Sequence, residues 1–295
     1  MNVDKMKSRR LFCALANGLN GAFWMHSRNL GDNDAAAAQA VLYGVESGIA
    51  SITLNRPERR NALSIAAAER LYRIWGEIDA DDSVRVAVLT AADCGTFCAG
   101  MDLKEAAEIK RERNCDILDM LTDPFYERMR SVRKPIIAAM TGHFAAGGMV
   151  LSLNSDLRVG LAGTKGGITE AKLGRGSPWA VPMLWMLPQP ILLEMTLTGD
   201  MVDIERLHAL GFVNYVEPTP DAVRQRAYQL AARIRDNAPL TVQAGKASLL
   251  AGVSLGCERG FARAKEIYQP VYASEDAQEG PRAFAEKRVP RWLGR

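Results

Sequence analysis

The sequence lacks any run of about 18 apolar residues, the length at which a stretch becomes a candidate for crossing a membrane as an α-helix. It also lacks an excess of either charge: 37 Lys and Arg stand against 34 Asp and Glu, which gives a formal net charge of +3. That balance predicts no bulk attraction to nucleic acid, although a few placed cations can still bind a phosphorylated ligand. We therefore expect no membrane and no nucleic-acid partner.

Cysteine and histidine are scarce, with five and three residues in a chain of 295. No CxxC pair occurs, and no histidine stands at ligand spacing from a cysteine. Neither a zinc site nor a disulfide framework is predicted, no metal is expected, and the expected location is the cytoplasm.

What is present is the ordinary composition of a globular protein, with 48% hydrophobic and 24% charged residues. Residues 1–40 read as an N-terminal extension, predicted to be disordered and dispensable. Residues 41–200 alternate between strand and helix patterns and predict an α/β core. Residues 201–295 read as helical. The chain is thus expected to hold one large α/β domain with a helical C-terminal region.

Short apolar, β-branched runs predict the strands of the core. Ser64 is expected to cap the helix that follows it. Asp102 is expected to cap another, with Glu105 completing a capping box. Gly147-Gly148 should open a third helix. The predicted strands are Val41–Val45, Ile49–Leu54, Val84–Leu89, Pro135–Met140 and Leu157–Leu161.

Two glycine-containing turns carry the main chemical signal, since each is predicted to lie between a strand and a helix. They are Phe97–Leu103 and Gly142–Met149. Helix N-termini leave backbone N–H groups unpaired, so two such ends aimed at one point would bind an oxygen that gains negative charge. Small residues in such turns also serve packing alone. The GxGxxG fingerprint and the P-loop pattern are both absent.

Five ordered motifs resemble the crotonase superfamily, whose best-known members are enoyl-CoA hydratases and isomerases. The resemblance runs from about Val41 to the C-terminus. It implies a spiral of ββα units with a helical C-terminal region for trimerisation, hence a homotrimer or a hexamer built as a dimer of trimers. The motifs are Asn55-Arg56-Pro57 with Asn61-Ala62-Leu63, Phe97–Leu103, Lys134-Pro135 with Gly142 and Gly147-Gly148, Thr198-Gly199-Asp200, and the stretch from Glu279-Gly280 to Arg288.

The resemblance also implies roles for individual residues. The backbone N–H groups of Met101 and Gly147 would form an oxyanion hole for a thioester carbonyl. For Arg59, Arg60 and Lys287 a solvated charge or a helix cap is the alternative, and for Asp102 a cap is the favoured alternative to catalysis. The residues implied in binding the acyl, pantetheine or phosphate parts of CoA are Arg59, Arg60, Ala62, Ala99, Asp102, Leu103, Lys104 and Lys287.

The sequence departs from the hydratase pattern at one of its two glutamates. Position 150, three residues after Gly147, holds valine, whereas Glu170 occupies the second position. Water addition divides its work between two carboxylates, so a single one favours another reaction. Trp179 and Trp185 either pack beneath the loop or shape the acyl site for a branched or cyclic group. His143 is either a spare acid or base, or a structural histidine.

The sequence thus predicts an enzyme that holds an acyl-CoA enolate in an oxyanion hole and isomerises a double bond with one glutamate. One alternative is an enoyl-CoA hydratase or another lyase acting on an unusual acyl group. The other is a non-catalytic acyl-CoA-binding protein. No cofactor beyond the CoA moiety of the substrate is expected.

Overall fold

A computed structural model describes residues 36–295. The predicted extension therefore lies mainly outside the described residues. Its last residues, 36–40, are helical, and Ala37 is buried. The carbonyl of Ala40 accepts a hydrogen bond from the Asn55 backbone, so ordered packing begins before the predicted start at Val41.

A six-stranded sheet forms the centre of the molecule, in the order β1-β2-β3-β5-β7-β10. The β1 and β2 strands form an antiparallel hairpin, and the other neighbouring pairs are parallel. The β3 and β5 strands are wholly buried, as their continuous apolar runs predict. The strands are β1 (Val41–Glu46), β2 (Ile49–Leu54), β3 (Val86–Ala91), β5 (Ile136–Met140), β7 (Leu157–Leu161) and β10 (Tyr215–Glu217).

A second, smaller sheet consists of three-residue strands in the order β4-β6-β8-β9. Each of β3, β5 and β7 in the large sheet is followed by one strand of this small sheet and then by a helical segment. This repetition is the ββα spiral that the resemblance implies. The strands are β4 (Thr96–Cys98), β6 (His143–Ala145), β8 (Lys165–Gly167) and β9 (Met201–Asp203).

Helices surround the two sheets and make up most of the chain after residue 217. The helix α1 is capped by the Ser64 hydroxyl, as predicted. The α-helices are α1 (Ile65–Ala80), α2 (Leu103–Arg113), α3 (Glu127–Ser131), α4 (Gly147–Asn154), α5 (Gln189–Thr198), α6 (Ile204–Ala209), α7 (Pro220–Arg235), α8 (Pro239–Leu255), α9 (Cys257–Ala273) and α10 (Asp276–Ala285).

Three details differ from the sequence prediction. The region from 201 onward also contains β9 and β10, and helix α7 packs its buried face on the large sheet. Glu105 does not complete a capping box, because its carboxylate accepts from the Ile65 backbone N–H instead. Cys115 is disulfide-bonded, although the sequence predicts no disulfide framework, whereas Cys94, Cys98 and Cys257 are free.

No helix among residues 36–295 is both long and apolar enough to span a membrane.

Candidate active site

The small sheet brings the three candidate catalytic residues to one edge. The β4, β6 and β8 strands are adjacent and parallel, so their carboxyl ends point the same way. Met101 follows the end of β4 by three residues, Gly147 follows β6 by two, and Glu170 follows β8 by three. The positions implied by the resemblance are therefore assembled in one place.

The first turn is fixed by hydrogen bonds from a preceding loop. The Leu63 N–H donates to the Gly100 carbonyl at 2.7 Å, and the Asp102 N–H donates to the Leu63 carbonyl at 3.0 Å. These bonds leave the Met101 N–H between them without an acceptor among the described residues. The turn thus presents a free donor next to the start of helix α2.

Asn61 anchors the loop that makes those bonds. It is buried, and its amide nitrogen donates to the carbonyls of Ala92 and Thr96 at 2.9 and 2.8 Å. Its amide oxygen accepts the Arg56 N–H at 3.0 Å. Asn61 also has φ +52°, a left-handed conformation that asparagine tolerates better than most residues. The segment Asn55–Leu63 therefore has a structural role, because it supports the first turn.

The second turn is strained immediately before its donor. Ala146 has φ +49° and ψ −115°, a combination that residues with a side chain rarely adopt. Its N–H bonds to the Gly167 carbonyl and its carbonyl accepts from Val150, which hold this conformation in place. Gly147 then opens helix α4, and its own N–H has no acceptor among residues 36–295.

Both turns border one pocket of about 820 Å³, a volume that includes space open to solvent. Its walls are mainly apolar, and Glu170 is the only carboxylate among its described lining residues. Val150 lies in the same lining and is buried. The lining comprises Leu63, Ile65, Ala99, Met101, Leu103, Ile117, Leu118, Leu121, Pro124, Phe125, Tyr126, Ala146, Gly147, Val150, Thr169, Glu170, Leu173, Arg175, Gly176 and Trp179.

Glu170 is a buried carboxyl group whose pKa is shifted by its surroundings. Its residue is only 8% exposed, and its buried Oε2 atom has no hydrogen-bond partner in the described part of the chain. Burial raises the pKa of Glu170, while backbone N–H groups and the Trp179 indole N–H act in the opposite direction.

Asp102 is a structural cap. Its carboxylate accepts from the backbone N–H groups of Lys104 and Glu105 and pairs with Arg56 at 2.8 Å. Burial alone would raise the pKa of Asp102, but the Arg56 guanidinium and the two N–H groups outweigh it and hold the pKa below its usual range. Asp102 does not line the pocket, so its cap role is confirmed.

Among the residues implied in CoA binding, Ala99 and Leu103 line the pocket, and the others do not. Arg59 and Arg60 are exposed beside the first turn, since the Arg60 carbonyl accepts the Ala99 N–H at 3.1 Å. Leu103 lines the pocket and Lys104 is exposed next to it, whereas Ala62 is buried. Lys287 is exposed after helix α10 and is not part of the pocket lining. Their roles in binding CoA stay predictions.

The structure decides between the alternatives for His143 and places Trp185 outside the pocket. His143 lies at the start of β6, is exposed, and accepts the Lys165 backbone N–H through Nδ1, so it is not a spare acid or base in the pocket. Trp185 is 58% exposed and does not line the pocket, unlike Trp179. Sequence proximity to a functional turn does not determine the direction of a side chain, so neither residue lines the pocket.

Sequence reasoning missed Arg175, which lines the pocket and pairs with Asp116. The signal available was its position between Gly174 and Gly176, five residues after Glu170. Among residues 36–295, no group of three or more His, Cys, Asp or Glu side chains could hold a metal ion.

The pocket, two free backbone donors and ββα spiral define a protein of the crotonase fold, and comparison with known proteins agrees. The enoyl-CoA hydratase/isomerase family model matches residues 44–295. The (E)-benzylidenesuccinyl-CoA hydratase of Thauera aromatica is 35% identical over 257 residues, which cover 85% of this chain and 97% of that protein. Enoyl-CoA hydratase EchA19 of Mycobacterium tuberculosis is 35% identical over 256 residues, 83% of this chain and 92% of that protein.

Solved structures give the same result. The crystal structure of enoyl-CoA hydratase from Bacillus anthracis has a TM-score of 0.81 and 29% identity, and the match covers 87% of this chain and all of that one. The chain therefore belongs to the enoyl-CoA hydratase/isomerase family of the crotonase superfamily, whose members act on acyl-CoA thioesters.

Proposed function

We propose that the protein isomerises the double bond of an enoyl-CoA, converting a 3-enoyl to a 2-enoyl thioester with Glu170 as the single acid and base. One observation carries the proposal: Glu170 is the only carboxylate among the described pocket-lining residues, and Val150 occupies the place of the second. Isomerisation moves one proton between two carbons, so a single carboxylate suffices.

The proposed reaction has two steps. The Glu170 carboxylate removes a proton from the carbon next to the thioester, and the electrons move to the carbonyl oxygen to give a dienolate. The Met101 and Gly147 N–H groups donate to this oxygen as its charge develops. The protonated Glu170 then returns the proton to the γ carbon, which shifts the double bond and restores the carboxylate.

The pocket walls suit this chemistry. Water is not a reactant, and the apolar Val150 and Trp179 side chains limit its access to the dienolate. The aromatic rings of Phe125, Tyr126 and Trp179 line the pocket and can accommodate a branched or ring-bearing acyl group. The name of the Thauera aromatica relative includes such a ring, which supports testing acyl groups of that kind.

Hydration is the second candidate, because several relatives are named hydratases and one, from Proteus mirabilis, is named carnitinyl-CoA dehydratase. A hydratase with one carboxylate would have to hold its water through other groups. The buried Oε2 atom of Glu170 has no hydrogen-bond partner among residues 36–295, which disfavours the third candidate, a non-catalytic binding protein, since an unpaired polar atom is costly to keep buried.

Product analysis distinguishes the three candidates. The protein is incubated with straight-chain, branched and aryl-bearing 2-enoyl- and 3-enoyl-CoAs. The products are separated by chromatography, and their masses are measured by mass spectrometry. Unchanged mass with altered retention supports isomerisation. A gain of one water contradicts it and supports hydration, and binding without any product supports the non-catalytic candidate.

We also propose that the protein assembles as a homotrimer or as a dimer of trimers. Large apolar side chains on the last helices are exposed in the single chain, including Leu249 (76%), Phe261 (65%) and Phe284 (87%). Such side chains usually become buried in an interface. Light scattering of the purified protein tests this, and a monomer at micromolar concentration would contradict it.

A further inference from the structure

Arg175 and Asp116 join two walls of the pocket through a bidentate ion pair. The two terminal guanidinium nitrogens of Arg175 donate to the two carboxylate oxygens of Asp116 at 2.5 and 2.8 Å. The partners are 59 residues apart in sequence, so the pair links distant segments of the chain. This geometry is the strongest form of an arginine–carboxylate contact.

On one side, the pair holds the turn that carries Glu170. The Arg175 N–H donates to the Glu170 carbonyl at 3.0 Å. Arg175 lies between Gly174, which has φ +63° and no atom within 4 Å of the place of a Cβ, and Gly176, which is almost as open. Two flanking glycines give this backbone wide freedom. Between them, the Arg175 side chain ties the turn to Asp116.

On the other side, the pair holds a second segment of the pocket wall. Asp116 caps the short 3-10 helix Ile117–Met120 by accepting the Leu118 N–H at 2.9 Å. Ile117 and Leu118 both line the pocket. The Asp116 carboxylate therefore joins the backbone of this part of the pocket wall to the side chain of Arg175.

A contribution to stability alone does not account for this arrangement. The side chains of Arg175 and Asp116 are 37% and 39% exposed, and ion pairs with that exposure contribute little to folding. A small displacement of a reacting group, in contrast, strongly affects turnover.

We propose that Arg175 is a positioning residue, which through Asp116 holds the Glu170 turn and the acyl-pocket wall in the geometry that proton transfer requires. The proposal rests on the proposed function in one respect: it takes Glu170 as the group that moves the proton.

The test is a double-mutant cycle on turnover. Arg175→Met removes the guanidinium, and Asp116→Asn removes the charge while keeping an oxygen able to cap Leu118. Each single variant should lower kcat by about ten- to a hundred-fold, the scale of a small misplacement, with KM changed less than kcat. The double variant should be no worse than either single one, because both remove the same contact. Arg175→Lys, which keeps charge without the bidentate fork, should retain more activity than Arg175→Met.

The chain provides a matched control in Arg206. It forms a similar bidentate pair with Glu194 at 3.2 and 2.9 Å, with similar exposure, between helices α5 and α6 and outside the pocket lining. Arg206→Met should leave kcat unchanged. Equal losses in Arg206→Met and Arg175→Met, singles that retain full kcat, or single losses that multiply in the double variant would each overturn the proposal.

A pH profile adds a second readout. Besides Glu170, the titratable side chains lining the pocket in the described residues are Tyr126 and Arg175. If Arg175→Met loosens the turn, water reaches Glu170, and the acidic limb of kcat/KM should move to lower pH. An unmoved limb would overturn the positioning role. All variants are assayed on the reaction that the unmodified protein is found to catalyse. A wrong isomerase assignment would therefore be recognised from the product that the unmodified protein forms, and the double-mutant cycle would still test the role of Arg175.

Discussion

Gly100 and Gly147 face each other so closely that a Cβ atom on Gly100 would lie 3.1 Å from the Gly147 backbone nitrogen. The same atom would lie 2.8 Å from the Ala146 Cβ. Gly100 has φ +94°, which also favours glycine. The two oxyanion turns can therefore approach because neither glycine carries a side chain.

Gly100→Ala should for this reason disrupt the oxyanion hole. The added methyl group would push the second turn away and crowd the Gly147 N–H. We expect kcat to fall by about a hundred-fold, the usual effect of losing one such donor. Gly163→Ala is the control, because Gly163 has φ +75° and no atom near the place of a Cβ. The Gly163→Ala variant should carry similar backbone strain but keep the turnover of the unmodified protein. Equal kcat values in the two variants would contradict the account.

Asn61→Ala should destabilise the fold. The change removes three hydrogen bonds between the Asn61 side chain and part-buried backbone groups, as well as a longer one to the Cys94 sulfur. We expect a loss of about 3 kcal/mol in the free energy of unfolding, measured by urea denaturation. Asn114→Ala provides the comparison, because Asn114 also has positive φ (+51°) but is exposed. A similar loss in both variants would mean that only backbone strain is involved.

The long elements of the fold could be predicted from the sequence, whereas the small sheet could not. The β2 and β7 strands have the predicted bounds because an apolar residue stands at each end of both segments. Lys165–Gly167 contains two glycines in three residues and carries no strand pattern of its own. Strands such as this form because neighbouring strands and helices hold them, which is tertiary information.

The site shows the same division. Met101, Gly147 and Glu170 were found because they stand at fixed positions in motifs, which record spacing along the chain. The contact between Arg175 and Asp116 joins residues that no motif connects, and Glu105 was assigned to the wrong backbone N–H for the same reason. The side chains of His143 and Trp185 lie outside the pocket lining, and their directions could not be predicted from the sequence.

The pH dependence of kcat/KM should report the burial of Glu170. The carboxylate must be ionised to remove a proton, so activity rises as pH passes through its pKa, which burial raises above its ordinary value of 4.5. Trp179→Phe keeps an aromatic ring but removes the indole N–H that favours the carboxylate. The acidic limb should then move to higher pH. Trp185→Phe is the control, and a limb that moves to lower pH in Trp179→Phe would contradict the assignment.

Val150→Glu should introduce water addition to 2-enoyl-CoA. Position 150 is buried in the pocket lining, so a new carboxylate there would hold and deprotonate water near Glu170. Val150→Gln has nearly the same size but cannot act as a base, so it should not hydrate. Product masses are measured for both variants after each has been shown to fold. No gain of water with Val150→Glu would show that more than the missing carboxylate separates this site from a hydratase.

The central claim is that Glu170 alone moves the proton. It is tested most directly by the turnover of 3-enoyl-CoA by purified Glu170→Gln beside the unmodified protein, with acyl-CoA binding measured separately by calorimetry. Glutamine keeps the size of the side chain but cannot act as a base, so isomerisation should fall by at least about a hundred-fold while binding persists. Unimpaired isomerisation by Glu170→Gln, or rapid hydration by the unmodified protein, would contradict the claim.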